Sequence, residues 1–158
     1  MKRFAKSILG VTLLEIMLVL AVAAMIIVMS VRYYQSASAS QQANATVQQL
    51  QAITAAADSL AQGSGSYMAP TAVSNTTLSP LLPNGTYAFT TPWGGTITVT
   101  AVSASTYTVS VSQVPANVCA LVVLKLSTNS HYANLAPANP GACPATAGDI
   151  TYTYTANP

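Results

Sequence analysis

Six side chains in this sequence are best equipped for chemistry beyond packing: the carboxylates Glu15, Asp58 and Asp149, the imidazole of His131, and the thiols of Cys119 and Cys143. Acid–base or nucleophilic catalysis requires such groups in a cluster, with a base beside a nucleophile and a third group to orient it. These carboxylates are scattered along the chain, and no nucleophile–base pair can be assembled from them. His131 could ligate a metal, but no acid or second histidine accompanies it, so no metal site is expected. No nucleotide motif and no cofactor-binding pattern is present. The two cysteines leave a disulfide or buried free thiols as the open readings, and the compartment decides between them. Glu15 is different in kind, because it interrupts a long apolar run.

The elements around these residues narrow the possibilities. Of 158 residues, 51% are apolar and only 5% are charged, against about 25% charged in an average soluble domain. Lys2, Arg3 and Lys6 crowd the start, and after them only Arg32 and Lys125 are basic. Two scattered cations cannot neutralise a run of phosphates, so no nucleic-acid partner is expected. Disorder is equally disfavoured, since disordered chains are poor in apolar residues and rich in charge. Residues 11–31 hold 18 apolar residues, interrupted only by Thr12, Glu15 and Ser30. As a helix they would rise about 32 Å, enough to cross a hydrocarbon core of about 30 Å. The basic cluster before the run predicts an N-in, C-out orientation, and Arg32, Tyr33 and Tyr34 follow it as interface anchors would. A cleaved secretory signal is the alternative, supported by Ala37-Ser38-Ala39. It is opposed by an apolar run longer than the usual span of about 7–15 residues.

A carboxylate in a spanning segment costs about 2.5–3.5 kcal/mol on insertion scales and usually has a function. Glu15 stands five positions after Gly10. The stretch Gly10-Val11-Thr12-Leu13-Leu14-Glu15, preceded by a basic leader and followed by an apolar helix, resembles the processing motif of type IV prepilins. The resemblance implies that 1–10 is a cytoplasmic leader, that a prepilin peptidase cuts between Gly10 and Val11, and that the new amine of Val11 is N-methylated. It also implies an assembly role for Glu15, whose carboxylate would pair with the N-terminal amine of a neighbouring subunit. Opposite charges in a low dielectric are costly apart and tolerable together. Cleavage would remove Lys2, Arg3 and Lys6 and turn the formal net charge of +2 into −1. The sequence departs from many pilins in carrying Val11 at the mature N-terminus and in lacking a proline near the end of the apolar run.

Residues 11–62 contain neither glycine nor proline, which permits one continuous helix: an apolar half at 11–31 and an amphipathic half at 32–62. In the second half Ala43, Val47, Leu50, Ile53, Ala57 and Leu60 recur at three- and four-residue steps, with Gln41, Gln48, Gln51 and Ser59 opposite. Gly63-Ser64-Gly65-Ser66 is expected to stop the helix. Residues 63–158 read as a β-rich head. Tyr87 and Phe89 alternate with small residues, and Pro92-Trp93-Gly94-Gly95 marks a turn. Ile97, Val99 and Ala101 pair with Tyr107, Val109 and Val111 as a hairpin, and Ile150, Tyr152 and Tyr154 form a last strand. Val118–Leu126 cannot be typed by periodicity, although Asn117 could cap a short helix there. The expected fold is α+β, with the long N-terminal helix packed on an antiparallel sheet. Asp58 reads as a solvated residue of the polar helix face and His131 as a surface residue.

Export makes a Cys119–Cys143 disulfide the first reading, and the pair resembles the disulfide-bounded loop of type IV pilins. With the Trp93-Gly94-Gly95 turn and the last strand, the chain looks most like the type IVb, PilS-like group. The resemblance implies a structural subunit rather than an enzyme. It would wait in the inner membrane and then polymerise with copies of itself into an extracellular filament for adhesion, surface contact or conjugative mating. The implied partners are the prepilin peptidase and an assembly ATPase with its platform. A type II secretion pseudopilin or minor pilin is the nearest alternative. A membrane-anchored exported binding module is the alternative from another class.

Overall fold

The computed structural model describes residues 13–156. The chain divides into two compact units, Met1–Ala37 and Ser38–Pro158. The first helix, α1 (Leu13–Ser64), contributes to both. With no glycine or proline from Leu13 to Gln62, nothing in its sequence interrupts the i→i−4 ladder. It stops as the glycine-serine stretch predicts. Gly65 takes a left-handed φ of 76°, and its N–H donates to the Ala61 carbonyl at 2.6 Å, closing the last turn.

In the second unit the amphipathic stripe of α1 supplies the core. Ala39, Ala43, Thr46, Leu50, Ile53, Ala56 and Ala57 are buried, while Gln41, Gln48, Gln51 and Ser59 are exposed. Val47 and Leu60 are only half-buried, and Thr46 takes a core position instead. Its hydroxyl donates back to the Gln42 carbonyl at 2.9 Å, which satisfies the group inside the fold.

α1 is followed by a short helix α2 (Asn75–Leu78) and by 3-10 turns at Ser79–Leu81 and Gly85–Phe89. Strands β1 (Ile97–Ala101) and β2 (Thr106–Val114), helix α3 (Ala116–Ser127), strand β3 (Tyr132–Ala136) and strand β4 (Gly148–Thr155) complete the order. The four strands form one antiparallel sheet in the order β1-β2-β4-β3. The expected β1–β2 hairpin is present, and its register sets Val99 opposite Val109 and Ala101 opposite Tyr107. Period-two alternation buries one face. Ile97, Val99, Tyr107, Val109, Val111, Ile150 and Tyr152 point into the core, and Thr98, Thr108, Ser110, Thr151 and Thr153 occupy the other face. An α+β fold with α1 packed on an antiparallel sheet is therefore the observed architecture.

Three local features differ from the sequence reading or add to it. Tyr87 and Phe89 lie in a 3-10 turn rather than a strand, because Gly85 with φ 54° redirects the chain. The untyped Val118–Leu126 stretch is helical, but Asn117 sits inside the first turn of α3 and Pro115 is its N-cap. The Pro115 carbonyl accepts the N–H groups of Val118 and Cys119, each at 2.9 Å, which opens the helix without a side-chain cap. The third, β3, is a strand that no alternation announced. It is only partly buried and pairs with β4 across a register shift between Ala133 and Ala136.

Candidate functional site

Residues 13–31 of α1 present apolar side chains in every direction. Leu14, Met17, Leu20, Met25 and Ile27 are all more than 60% exposed. The most apolar 18-residue window of α1 has a mean hydropathy of 2.7 and buries nothing. A helix that is apolar all round belongs in a bilayer or against other apolar helices. Covering its fourteen large apolar side chains would stabilise the chain by roughly 20 kcal/mol or more. Ser30, the polar residue near the end of this run, donates its hydroxyl to the Ile26 carbonyl at 2.8 Å, so the helix itself satisfies it. Glu15 lies in the first turn, where the positive end of the helix dipole favours a carboxylate. Gly10 and Val11 lie outside the described residues.

The structure brings Cys119 and Cys143 together. They form a disulfide with a Cα–Cα distance of 6.0 Å. Cys119 is buried on α3, and Cys143 ends the 3-10 turn Pro140–Ala142. The bridge encloses β3 and ties α3 to the segment that leads into β4. A closed loop of this length is worth about 3 kcal/mol on the chain-entropy account. Glu15 stands in the first unit and the cysteines in the second.

Asp58 is not the merely solvated residue expected. Its Oδ1 accepts a hydrogen bond from the Tyr67 hydroxyl at 2.5 Å, and its Oδ2 accepts one from the Tyr154 hydroxyl at 3.1 Å. The carboxylate thus fastens α1 to the segment that follows it and to β4. Burial, then Asp58, pushes the Tyr67 phenol well above its usual range, and the same causes push Tyr154 up to about 12. Both phenols are therefore protonated donors at physiological pH. Tyr154 stacks on Tyr107 at 5.0 Å and on His131 at 5.5 Å. His131 is accordingly half-buried rather than a free surface residue, and its Nδ1 lies 2.8 Å from the Thr155 carbonyl oxygen. One signal could have exposed this network. Eight tyrosines against two phenylalanines place many hydroxyls where a core needs polar partners, and Asp58 is the acid on the helix that packs there.

Asp149 also has a structural role. Its Oδ1 accepts from the Gln113 N–H at 3.0 Å, at the bulge where Gln113 adopts a φ of 56°. That bond satisfies a donor the bulged ladder leaves unpaired. At the Trp93-Gly94-Gly95 turn, a Cβ on Gly95 would collide with the Ser112 carbonyl, to which the Trp93 indole donates at 3.1 Å. No group of three or more potential metal ligands occurs among the described residues.

A protein family described as PilS N terminal matches residues 40–155, which is most of the amphipathic half of α1 and nearly all that follows it. Searches of the curated proteins and of the solved structures returned no match.

Proposed function

Because the chain belongs to the PilS N-terminal family, as a PilS-like type IV pilin, we propose that it is the structural subunit of a type IV pilus, polymerised through residues 11–31 and displaying residues 63–158 as its head. The carrying observation is the contrast within α1. Its apolar part has no cover of its own, whereas its amphipathic part is consumed by the core of the second unit. Before assembly the bilayer would cover the apolar helix; in the filament, the same helices of other subunits would. The family is structural, not catalytic.

The steps at the N-terminus complete the reading. A prepilin peptidase removes residues 1–10 by cutting after Gly10, where a residue without a side chain enters a tight site. Val11 then carries a methylated, still positive amine. In the filament that amine pairs with Glu15 of a neighbouring copy, and the pairing sets the axial register of each incoming subunit. An assembly ATPase and its platform supply the work of extraction, and the N-in orientation leaves the disulfide in the oxidising compartment. Adhesion, surface contact or mating would be functions of the exposed head.

Mass spectrometry of the membrane-extracted and the filament-borne subunit tests this reading. The expected mature chain begins at a methylated Val11. Chains that begin at Met1, or just after the small residues at Ser40, would overturn it.

A further inference from the structure

We propose that the cleft floored by Asp58 is a binding site for a primary ammonium group. The cleft has a volume of about 470 Å³. Its walls come from the last turns of α1, the Gly65–Tyr67 turn, the β1–β2 loop at Ser105, and the end of β4 at Tyr154. Among the described residues, Asp58 is the only charged side chain lining it.

Two features make the cleft a cation site rather than a closed structural clasp. Each Asp58 oxygen accepts one phenol, which leaves further lone pairs on both oxygens. No ion pair neutralises the carboxylate among the described residues, and a part-buried charge without a counter-charge gains from one.

The geometry selects among cations. A metal ion would need more ligands than one carboxylate, and no ligand cluster exists among the described residues. A guanidinium fork binds best when it takes parallel lone pairs on both carboxylate oxygens at once, a pairing that a phenol on each oxygen makes harder to meet than a single contact. Stacking over an aromatic face is blocked at Tyr154, because Tyr107 and His131 stack on it. An ammonium carries three diverging N–H donors, any one of which can use a single remaining lone pair on Asp58 while the others stay with water. Two sources could supply it: a free amine from the medium, or Lys125 of another copy. Lys125 is exposed and is the only basic residue after Arg32. The second source rests on the filament reading; the first does not.

Calorimetric titration of the full chain in detergent micelles with n-butylammonium tests the site directly. Saturable binding is expected. Tetramethylammonium, which has no N–H, and the Asp58→Asn variant should each bind at least about tenfold more weakly, as loss of one charge-assisted hydrogen bond implies. Ser105→Trp should also abolish binding by filling the cleft mouth while leaving both Asp58 hydrogen bonds in place. No saturable binding, equal binding of tetramethylammonium, or binding retained in both variants would overturn the site. In filaments, butylammonium bound equally by wild type and Lys125→Gln assigns the site to amines from the medium. Binding that appears only in Lys125→Gln filaments assigns it to the neighbouring copy's lysine. Failure to form filaments would count against the pilus reading and leave the micelle result to decide the site.

Discussion

The two halves of α1 are built from the same backbone ladder, yet they solve opposite problems. Residues 13–31 carry bulky apolar side chains around the whole circumference, and every one of them is exposed. Residues 39–57 carry a narrow stripe in which alanines alternate with Leu50 and Ile53, and the stripe is buried against the sheet of its own unit. Small residues let the second half approach a sheet closely. Large residues on all sides leave the first half needing a solvent or partner that is itself apolar. A helix can therefore be complete as secondary structure and still be unfinished as packing.

That contrast can be broken at several points. Glu15→Ala should have the largest effect: filaments vanish from electron micrographs while immunoblots still find the subunit in the membrane fraction. Normal filaments from this variant would remove the assembly role of the carboxylate. Next comes a matched pair of truncations. Leu50→Ala, at a fully buried position, should cost about 2–5 kcal/mol through lost contacts and a residual cavity. Leu20→Ala, where the side chain is 63% exposed, should leave the melting temperature in micelles unchanged. Similar losses at both sites would mean that the first half has an intramolecular partner after all.

Replacing both Cys119 and Cys143 by serine should lower stability by about 3 kcal/mol, read as a shift of the urea midpoint. Because the bridge lies wholly within the second unit, membrane insertion should be unaffected. The smallest effect is alkaline. Tyr154 has a phenol raised from 10.0 to about 12 in the fold, so the folded chain holds that proton more tightly than the unfolded chain. The stability linked to this group is fully present below about pH 10 and is lost as the pH rises toward 12. Tyr67, Tyr107 and Tyr152 are raised in the same direction, chiefly by burial. Urea midpoints measured between pH 9 and 12 (roughly the tyrosine range) should fall steadily in the wild type and less steeply in Tyr154→Phe. An unchanged slope would mean that the Tyr154 phenol is not raised in the fold by burial and by Asp58.

Much of this was legible in the order of the residues. The span of α1, its glycine stop, the β1–β2 hairpin and the last strand follow from local rules: absence of helix breakers, period-two alternation, and a four-residue loop between matched strands. The pairing of Cys119 with Cys143 needed only the compartment and the count of two. What was missed is non-local or nearly unpatterned. β3 is short and partly exposed, so burial imposes no alternation on it, and it is a strand because β4 offers an edge. Asp58 and Tyr154 are 96 residues apart, and nothing in either neighbourhood announces the other.

The sequence by itself determined that one segment of this protein is a long helix apolar on every side and that a short α+β unit follows it in the chain, because periodicity and composition act over a few residues at a time. Only the tertiary structure decided what the sparse charges do. Asp58 and Asp149 find their hydrogen-bond donors on strands and turns far along the chain, since a part-buried carboxylate is tolerable only where folding brings donors to it.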